Sequence, residues 1–327
     1  MTTPLSNDTA NLTPQTAWDG PSLTFDFPAF QIGVAAYPEG PTGCTVFHFP
    51  AGAACAMDVR GGAPGFLGDY GWVDAICLAG GSLYGLEAAA GVAAELFAMR
   101  GYRANWMEIA LVSGAIIFDY GPRQNTIYPD KALGRAALKA ARTGIFPLGG
   151  RGAGCSARVG AGFDWNQGEL AGQGGAFRQI GETKIAVFSV VNALGAIVDR
   201  DGTVVRGHRN RATGNRHHLI ADLERRLAAG EEPTPPHGNT TLTVAVTNQK
   251  LDMRSLRQVG RQVHTSMARA IQPFHTMDDG DVLFMVTTGE VENAALGTTA
   301  LGLLASELAW DAILSSFSGR VLHRHGQ

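Results

Sequence analysis

The residues best suited to covalent chemistry in this sequence are Asn239-Thr240, a pair at which two unlike segments meet. The stretch EEPTPPHGNTTLTVAVTN, residues 231–248, joins a charged, Pro-rich half to a half that alternates like a buried strand. A Thr hydroxyl can attack the carbonyl before it, take the acyl group onto oxygen and leave a new N-terminus after ester hydrolysis. The freed α-amine, with an ordinary pKa of about 7.7–8.0, can then act as base for that hydroxyl. An ordinary junction of loop and strand is the alternative, and the pattern alone favours it.

Two acidic residues further along could hold such a nucleophile. Asp279 and Asp281 flank Gly280, and residues two apart in extended backbone project to the same side. Their carboxylates could therefore converge on an ammonium or a hydroxyl. Asp-Gly is also common turn chemistry, and the spacing of the acids does not fit an EF-hand calcium loop.

An asparagine ends the most apolar run of the chain. Residues 185–191 are almost continuously apolar, which predicts a strand covered on both faces, and Asn192 follows directly. An amide at the mouth of a buried strand can donate to a developing oxyanion, an interaction typically worth about 3–4 kcal/mol in the transition state. The alternative is an Asn that ends the strand by bonding to local backbone.

Other motifs argue against a cofactor or a metal. Gly152, Gly154 and Ala157 match a G-x-G-x-x-A pattern, but no clear strand precedes them and no acid follows at the required distance. The nine histidines form no ligand set, and His217-His218 are adjacent and hence on different faces. No G-x-S-x-G elbow is present. We expect no cofactor and no metal.

Composition limits the class of protein. The 327 residues are 45% hydrophobic and 17% charged, with 43 glycines, which is typical of a compact globular protein with many tight turns. The net charge of −3 and the lack of a long basic run argue against nucleic-acid binding. No run of about 18 apolar residues or signal-like start is seen, so we expect a cytoplasmic protein that is not bound to a membrane. The polar first ~20 residues are expected to be flexible.

The order of elements predicts sheets with helices on their outer faces. Short β-rich runs fill residues 22–59, and the helix that follows is predicted to begin with Ser82 as N-cap and to end at Gly101. A second helix is predicted between Asp130 as N-cap and Gly144 as terminator. Strands and helices come in blocks, which argues against a Rossmann or TIM arrangement.

The later elements follow the same logic. A hairpin is predicted to turn at Asp201-Gly202, and a strand to cover residues 240–248. An amphipathic helix capped by Asp252 is predicted next, and a final apolar helix closes the chain. The residues after the Pro-rich stretch are expected to complete a sheet begun by the larger part.

Five segments together resemble one family. They are GNTTLTVAVTN, HTSMARAIQPFHTMDDGDVLF, VVNALGAIVDRDGTVVRG, EGPTGCTVFHFPAGA and YPDKALGRAAL. In order and over nearly the whole chain, they are similar to the self-processing L-aminopeptidase/D-esterase-amidase peptidases, family P1, and particularly to their nylon-oligomer (6-aminohexanoate-oligomer) endohydrolase branch. The resemblance implies a four-layer αββα sandwich of the N-terminal-nucleophile type, an α/β fold.

The resemblance also implies roles for the residues selected above. Cleavage would fall between Asn239 and Thr240, giving one domain split into an α chain of residues 1–239 and a β chain of residues 240–327. Thr240 would be the nucleophile, Asn192 the oxyanion donor, and Asp279 and Asp281 the acids that orient the nucleophile. The fragments would stay associated and assemble into a homo-oligomer, a tetramer or larger. The substrate would be a small linear amide or peptide, such as a 6-aminohexanoate oligomer.

Two positions depart from the branch. A Lys of the nylon hydrolases aligns with Ala161 or Gly162, and a Tyr aligns with Phe118. These departures leave alternatives open. The chain could be an aminopeptidase or esterase acting on small peptides, an acetyl-transferring enzyme of related fold, or a catalytically silent homologue.

Overall fold

The computed structural model describes residues 4–121, 123–233, 238–293 and 295–318. Part of the Pro-rich stretch that was predicted to tether the cleavage site, residues 234–237, lies outside the described residues. The first described residues lie along the body of the protein, where Gln15 and Ala36 exchange two backbone hydrogen bonds of 2.9 Å.

Strands and helices come in blocks along the described chain, as predicted. The strands are β1 (Ser22–Thr24), β2 (Gln31–Tyr37), β3 (Thr42–Val59), β4 (Phe66–Leu67), β5 (Trp72–Ala79), β6 (Val112–Ile116), β7 (Ile145–Pro147), β8 (Arg158–Val159), β9 (Glu169–Leu170), β10 (Gly172–Ile180), β11 (Thr183–Asn192), β12 (Ala196–Val198), β13 (Val204–Arg206), β14 (Thr240–Gln249), β15 (Ile271–Gln272) and β16 (Val282–Val291). The α-helices are α1 (Glu87–Met99), α2 (Lys131–Lys139), α3 (Leu219–Ala228), α4 (Met253–Ser266) and α5 (Thr298–Ser318).

Nine of these strands form one hydrogen-bonded sheet, in which β14 lies between β11 and β16. β14 pairs antiparallel with β11 and parallel with β16. β3, which is 18 residues long, takes part in two halves of this sheet. Its residues 42–48 pair with β2, and residues 54–59 pair with β16. Because its pairing with β5 shifts between His48 and Ala53, β3 passes from one half of the sheet to the other.

The two halves face each other across an aromatic core. The rings of Phe47 on β3 and Phe188 on β11 lie 5.3 Å apart between centroids. Alternate residues of each strand enter this core, and on β14 they are Leu242, Val244 and Val246. The intervening residues face the other way, so β11 and β14 are covered on both faces. This is the arrangement that the unbroken apolar run in β11 predicted.

Helices cover both outer faces. On one side, Val259 of α4 and Leu308 of α5 share a core with Ala245 of β14. On the other side, Val92 of α1 and Leu133 of α2 pack against the half that contains β2, β5 and β6. The order helix, sheet, sheet, helix is the four-layer αββα sandwich that the resemblance implied.

Helix α5 is the longest helix described, and it is largely apolar. By length and composition alone, Thr298–Phe317 could cross a membrane, but 61% of that window is buried within the protein. It packs on β10 and β11 as part of the outer layer. An apolar helix buried in this way is typical of a protein core.

Two predicted N-caps are confirmed and one is wrong. Asp130 accepts from the backbone N–H of Leu133 at 3.0 Å, and Asp252 accepts from that of Ser255 at 2.7 Å. Ser82 does not cap α1. It has a φ of 53°, whereas an N-cap is extended, and it is the first residue of a 3₁₀ turn (Ser82–Leu86) that precedes the start of α1 at Glu87.

The two predicted helix ends also differ in outcome. Gly101 has a φ of 67° just beyond α1, as a left-handed cap requires. Gly144 does not terminate α2, which ends at Lys139. The chain leaves the helix earlier because Arg142 and Ile32 exchange backbone hydrogen bonds of 2.8 and 2.9 Å.

Candidate active site

The sheet register brings the predicted site residues together. Asn192 at the end of β11 is the direct partner of Thr240 at the start of β14. One residue earlier, Asn239 forms a parallel bridge with Asp279. Asp281 follows Gly280 just before β16. All of the predicted residues are therefore adjacent at one end of the sandwich, and all are at least 95% buried.

The peptide bond between Asn239 and Thr240 has two hydrogen-bond donors at its carbonyl. The Thr240 hydroxyl donates to the carbonyl oxygen of Asn239 at 2.5 Å. The backbone N–H of Gly280 donates to the same oxygen at 2.9 Å. Such donors polarise a carbonyl and stabilise the negative charge that develops when a nucleophile attacks it. The nucleophile and an oxyanion donor therefore already flank this one bond.

Asn192 is fixed by three hydrogen bonds. Its Oδ1 accepts from the backbone N–H of Arg158 at 3.0 Å, which sets the orientation of the amide. Its Nδ2 donates to the carbonyl of Phe118 at 3.2 Å and to that of Gly238 at 3.3 Å. In the uncut chain the Asn192 amide therefore donates to the carbonyl of Gly238, one residue before Asn239.

Asp279 holds the loop beside the scissile bond. Its Oδ2 accepts from the backbone N–H and the hydroxyl of Thr276, at 2.9 and 2.7 Å, and its Oδ1 accepts from the N–H of Leu194 at 3.3 Å. Burial raises the pKa of Asp279 to about 6, and the nearby charge of Asp281 adds to the effect. Near neutral pH its ionisation is thus sensitive to small changes around it.

Asp281 fixes the start of β14 from the next residue. Its Oδ1 accepts from the backbone N–H of Thr241 at 2.6 Å, and its Oδ2 lies 2.8 Å from Nδ1 of His275. Burial raises the pKa of Asp281, although the hydrogen bond from His275 opposes the shift. Asp281 therefore binds the backbone directly after Thr240, whereas the Asp279 carboxylate fixes Thr276 and Leu194 beside it.

Sequence reasoning missed the residues that support these acids. His275 adopts a φ of 59°, and its ring meets that of His264 at 4.5 Å between centroids. Nδ1 of His264 lies 2.8 Å from Oδ2 of Asp58, and burial lowers the pKa of His264 to about 4, so its ring is neutral. Thr276 could have been found from the sequence, because a Thr three residues before a candidate acid can donate its hydroxyl to that acid. The role of the Gly280 N–H had no sequence signal because it depends on the register of backbones.

The two positions that depart from the nylon-hydrolase pattern border the site. The ring of Phe118 lies against Gly238, where an added Cβ would come within 2.5 Å of it. Ala161 is 2% exposed, and the N–H of Gly162 donates to the carbonyl of Leu194 at 3.3 Å. The guanidinium of Arg158, whose backbone N–H binds Asn192, donates to the carbonyl of Gly168 at 2.7 Å.

The site offers side chains for acyl transfer. Among the described residues, no group of three or more His, Cys, Asp or Glu is arranged to hold a metal ion. A hydroxyl, a held carbonyl, backbone and amide donors, and buried acids are the parts that nucleophilic amide cleavage uses.

The four-layer αββα sandwich, with Thr240 at the start of β14, is a fold of the Ntn-hydrolase type. The chain belongs to peptidase family S58, whose family model matches residues 24–319. It is 48% identical over 320 residues to a 6-aminohexanoate-oligomer endohydrolase of Agromyces sp. (strain KY5R), spanning 95% of this chain and 90% of that protein. The protein is therefore a hydrolase that acts on amide or peptide bonds.

Solved structures agree on the fold. A Burkholderia sp. beta-aminopeptidase matches with a TM-score of 0.62 at 16% identity, covering 93% of this chain and 89% of that one. The L-aminopeptidase D-Ala-esterase/amidase of Ochrobactrum anthropi, described as a variant of the Ntn hydrolase fold, matches with a TM-score of 0.64 at 13% identity. That match covers 92% of this chain and 88% of the other.

Proposed function

We propose that the chain is an autoprocessing N-terminal-threonine amidohydrolase that cleaves linear amides such as 6-aminohexanoate oligomers. It cuts itself between Asn239 and Thr240, and Thr240 then acts as the catalytic nucleophile. The observation that carries the proposal is the position of the Thr240 hydroxyl against the Asn239 carbonyl, whose oxygen also accepts from the Gly280 N–H.

Self-cleavage proceeds by acyl transfer. Oγ1 of Thr240 bonds to the carbonyl carbon of Asn239, the carbon–nitrogen bond breaks, and the hydroxyl proton moves to the released amine. Water then hydrolyses the ester, which leaves a carboxylate on Asn239 and both a free hydroxyl and a free α-amine on Thr240. The Gly280 N–H supports the negative charge that develops on the oxygen of Asn239 during the first step.

Turnover repeats the chemistry on an external amide. The α-amine of Thr240 takes the hydroxyl proton as Oγ1 attacks the substrate carbonyl, and the leaving amine departs with a proton. Once the Gly238 carbonyl has moved away, Nδ2 of Asn192 is available to the substrate oxyanion. Asp279 and Asp281 keep Thr240 in place through the loop and through the Thr241 N–H. Water ends the cycle by hydrolysing the ester.

The substrate class is supported by the relatives. The 6-aminohexanoate-oligomer endohydrolase spans nearly the whole chain at 48% identity. The alternative, an aminopeptidase or esterase acting on small peptides, finds its support in the beta-aminopeptidase of the same fold. Early products from a linear oligomer separate the two, because internal cuts release short oligomers before single residues accumulate, whereas trimming releases single residues from the first turnovers.

The chemistry predicts a cut that depends on one hydroxyl. Wild-type protein should yield two fragments, the smaller beginning at Thr240, and Thr240→Ala should stay intact and inactive. Thr240→Ser, which keeps a hydroxyl, should still be cut. Intact mass and N-terminal sequencing provide the measurement, with a linear amide assay beside them.

Thr241→Val is the matched control for this experiment. The Thr241 hydroxyl is buried, and no described residue is its hydrogen-bond partner, so its loss should leave processing unchanged. If Thr240→Ala were still cut and still hydrolysed amides, the nucleophile would be another residue. A wild-type chain that stays whole and inert on long incubation would instead indicate a catalytically silent homologue.

The proposal extends to assembly and location. Residues 1–239 and 240–327 form one domain as associated α and β chains, which assemble into a tetramer or larger homo-oligomer in the cytoplasm. Exposed large apolar side chains support an assembly, because they suit a subunit interface. The most exposed include Trp106 at 83% and Met107 at 85%.

A further inference from the structure

A row of ionisable side chains continues from Asp281 into the protein. Oδ1 of Asp281 accepts from the Thr241 N–H at 2.6 Å, and Oδ2 lies 2.8 Å from Nδ1 of His275. The edge of the His275 ring meets the ring of His264, which is completely buried. Nδ1 of His264 in turn lies 2.8 Å from Oδ2 of Asp58. The steps proposed above use Asp281 but neither histidine.

His275 belongs to a turn that reaches both acids of the site. His275 binds Asp281, and the next residue, Thr276, binds Asp279 through its N–H and its hydroxyl. The φ of His275 is 59°, which few residues other than glycine adopt, although His, Asn and Asp do so more often than the rest. Such a backbone persists only where the surrounding contacts hold it. The left-handed turn therefore supports the two acids from consecutive residues.

The His275 ring acts as a donor to Asp281. An ionised carboxylate only accepts hydrogen bonds, so Nδ1 of His275 carries the proton in this contact. Nε2 of the same ring is buried, and no described residue is its hydrogen-bond partner. Burial raises the pKa of Asp281, and the hydrogen bond from His275 opposes that shift. His275 therefore favours the ionised acid, which is the form that accepts most strongly from the Thr241 N–H.

The other charged groups near His275 do not compete for its ring. Burial lowers the pKa of His264 to about 4, so this neighbouring ring is neutral at neutral pH. Asp58, beyond it, is bound by Nε of Arg60 at 2.7 Å, and the two charges offset each other. The Asp279 carboxylate takes its three hydrogen bonds from other residues.

We propose that His275 is a positioning residue for the nucleophile. Its Nδ1–H orients the Asp281 carboxylate, which holds the Thr241 N–H and so fixes the Thr240 hydroxyl at the start of β14. The ring exchanges no proton with a reacting atom and acts only through Asp281. The inference rests on the proposed amidohydrolase function, and it applies to self-cleavage and turnover alike because Thr240 is the nucleophile in both.

Two substitutions separate the donor from the ring. His275→Asn keeps an N–H donor on Cγ, the atom to which Nδ1 is attached in histidine, and Asn tolerates a positive φ. His275→Ala removes the donor and should slow self-cleavage about tenfold to a hundredfold, whereas His275→Asn should slow it about threefold at most. Denaturing gels of precursor freshly made by cell-free translation give the rates.

The pH dependence identifies the group through which His275 acts. Without the hydrogen bond that opposes the effect of burial, Asp281 stays protonated to higher pH. The acid limb of the self-cleavage rate should therefore move up by about one pH unit in His275→Ala and stay in place in His275→Asn. With a linear 6-aminohexanoate trimer, processed His275→Ala should show a lower kcat and an unchanged KM, since the ring supports the nucleophile and not substrate binding.

Tyr102→Ala is the matched control. Tyr102 has a φ of 57°, its ring packs on that of Phe97 at 5.3 Å between centroids, and it lies just beyond α1, outside the site. The substitution thus also removes an aromatic ring from a left-handed position. It should leave the rate of self-cleavage, its pH profile and kcat unchanged.

The outcomes separate the positioning role from the function. A wild-type rate in His275→Ala, or a loss without a shift of the acid limb, overturns the role and leaves the amidohydrolase function standing. Equal losses in His275→Ala and His275→Asn overturn it as well, because the packing of the ring would then be the cause. A wild-type chain that is neither cut nor active overturns the function and the role with it.

A further variant keeps the test decisive if near-UV circular dichroism shows that His275→Ala is unfolded. His275→Asp has the shape of His275→Asn without its N–H donor, and Asp also tolerates a positive φ. It should be slowed at least as much as is expected for His275→Ala. Equal rates in His275→Asp and His275→Asn would overturn the proposal.

Discussion

At the scale of the residue, Asp279 is a carboxylate that burial makes costly to ionise. It is fully buried and accepts three hydrogen bonds, yet its pKa is raised to about 6 from an ordinary 3.8. Burial without a full counter-charge favours the protonated acid. At a candidate active site, such a buried acid lowers the stability of the fold, while its hydrogen bonds fix the positions of neighbouring groups.

The raised pKa fixes the sign of a pH effect on stability. A folded-state pKa above the unfolded value adds stability below about pH 4, and that contribution is lost as pH rises through about 6. In the uncut Thr240→Ala background, Asp279→Asn removes this dependence. From about pH 4 to about pH 8 the Asn variant should gain up to about 3 kcal/mol relative to its parent.

Urea unfolding at the two pH values measures this difference. A constant difference between Asp279→Asn and its parent across the range would show that Asp279 is not the group responsible. In the cleavable chain, processing should slow below about pH 6 as the carboxylate that holds Thr276 becomes protonated.

At the scale of the element, the turn into β14 is shaped by a close contact. Gly238 has a φ of 92°, and an added Cβ would meet Phe118 at 2.5 Å. The contact keeps the backbone before Asn239 against the segment whose carbonyl, that of Phe118, binds the Asn192 amide. The geometry of the scissile bond therefore depends on a glycine outside the reacting pair.

Gly238→Ala should slow self-cleavage at least tenfold, because the clash and the positive φ both displace the Asn239 carbonyl. Time courses of processing on denaturing gels measure the rate. Adding Phe118→Ala to the Gly238→Ala chain should partly restore the rate of self-cleavage, because it removes the clash while the strain of the positive φ remains.

Gly230→Ala is the control for strain alone. Gly230 has a φ of 70°, and within the part of the chain that the structure describes no atom lies within 4 Å of an added Cβ. Gly230→Ala should process at the wild-type rate. If Gly230→Ala and Gly238→Ala slowed self-cleavage equally, the contact with Phe118 would not be the cause.

The elements also show how much of the structure could be predicted from the sequence alone. Alternation placed β14 and its first residue Thr240, and the apolar run placed Asn192 at the end of β11. The Gly280 donor and the His275 ring could not be predicted, because both depend on chain segments that meet only in the folded sheet. Ser82 failed as a cap for a similar reason, since the contact of its N–H with the Ile117 carbonyl sets its backbone.

At the scale of the whole molecule, the two proposed fragments are interleaved. β14 and β16 belong to residues 240–327, and their outer partners β11 and β3 belong to residues 1–239. Both fragments also contribute side chains to the core between the sheets, where Phe188 and Phe284 are fully buried. Neither fragment can keep its core without the other.

Cleaved protein should therefore behave as one particle. Size-exclusion chromatography with light scattering should give a single species containing both fragments, at the mass of a tetramer or larger. Denaturing gels of the same peak should show two bands. Separate elution of the fragments without denaturant would contradict the interleaved sheet, and a monomer mass would contradict the assembly alone.

The long strand β3 has a further consequence for dynamics. Its 18 residues carry a single backbone through both halves of the sheet. Independent sliding or partial melting of one layer would pull on the other through covalent bonds. Amide hydrogen exchange along β3 should accordingly show one shared opening free energy for residues 43–48 and 54–59, so that the two sheets open as one cooperative unit.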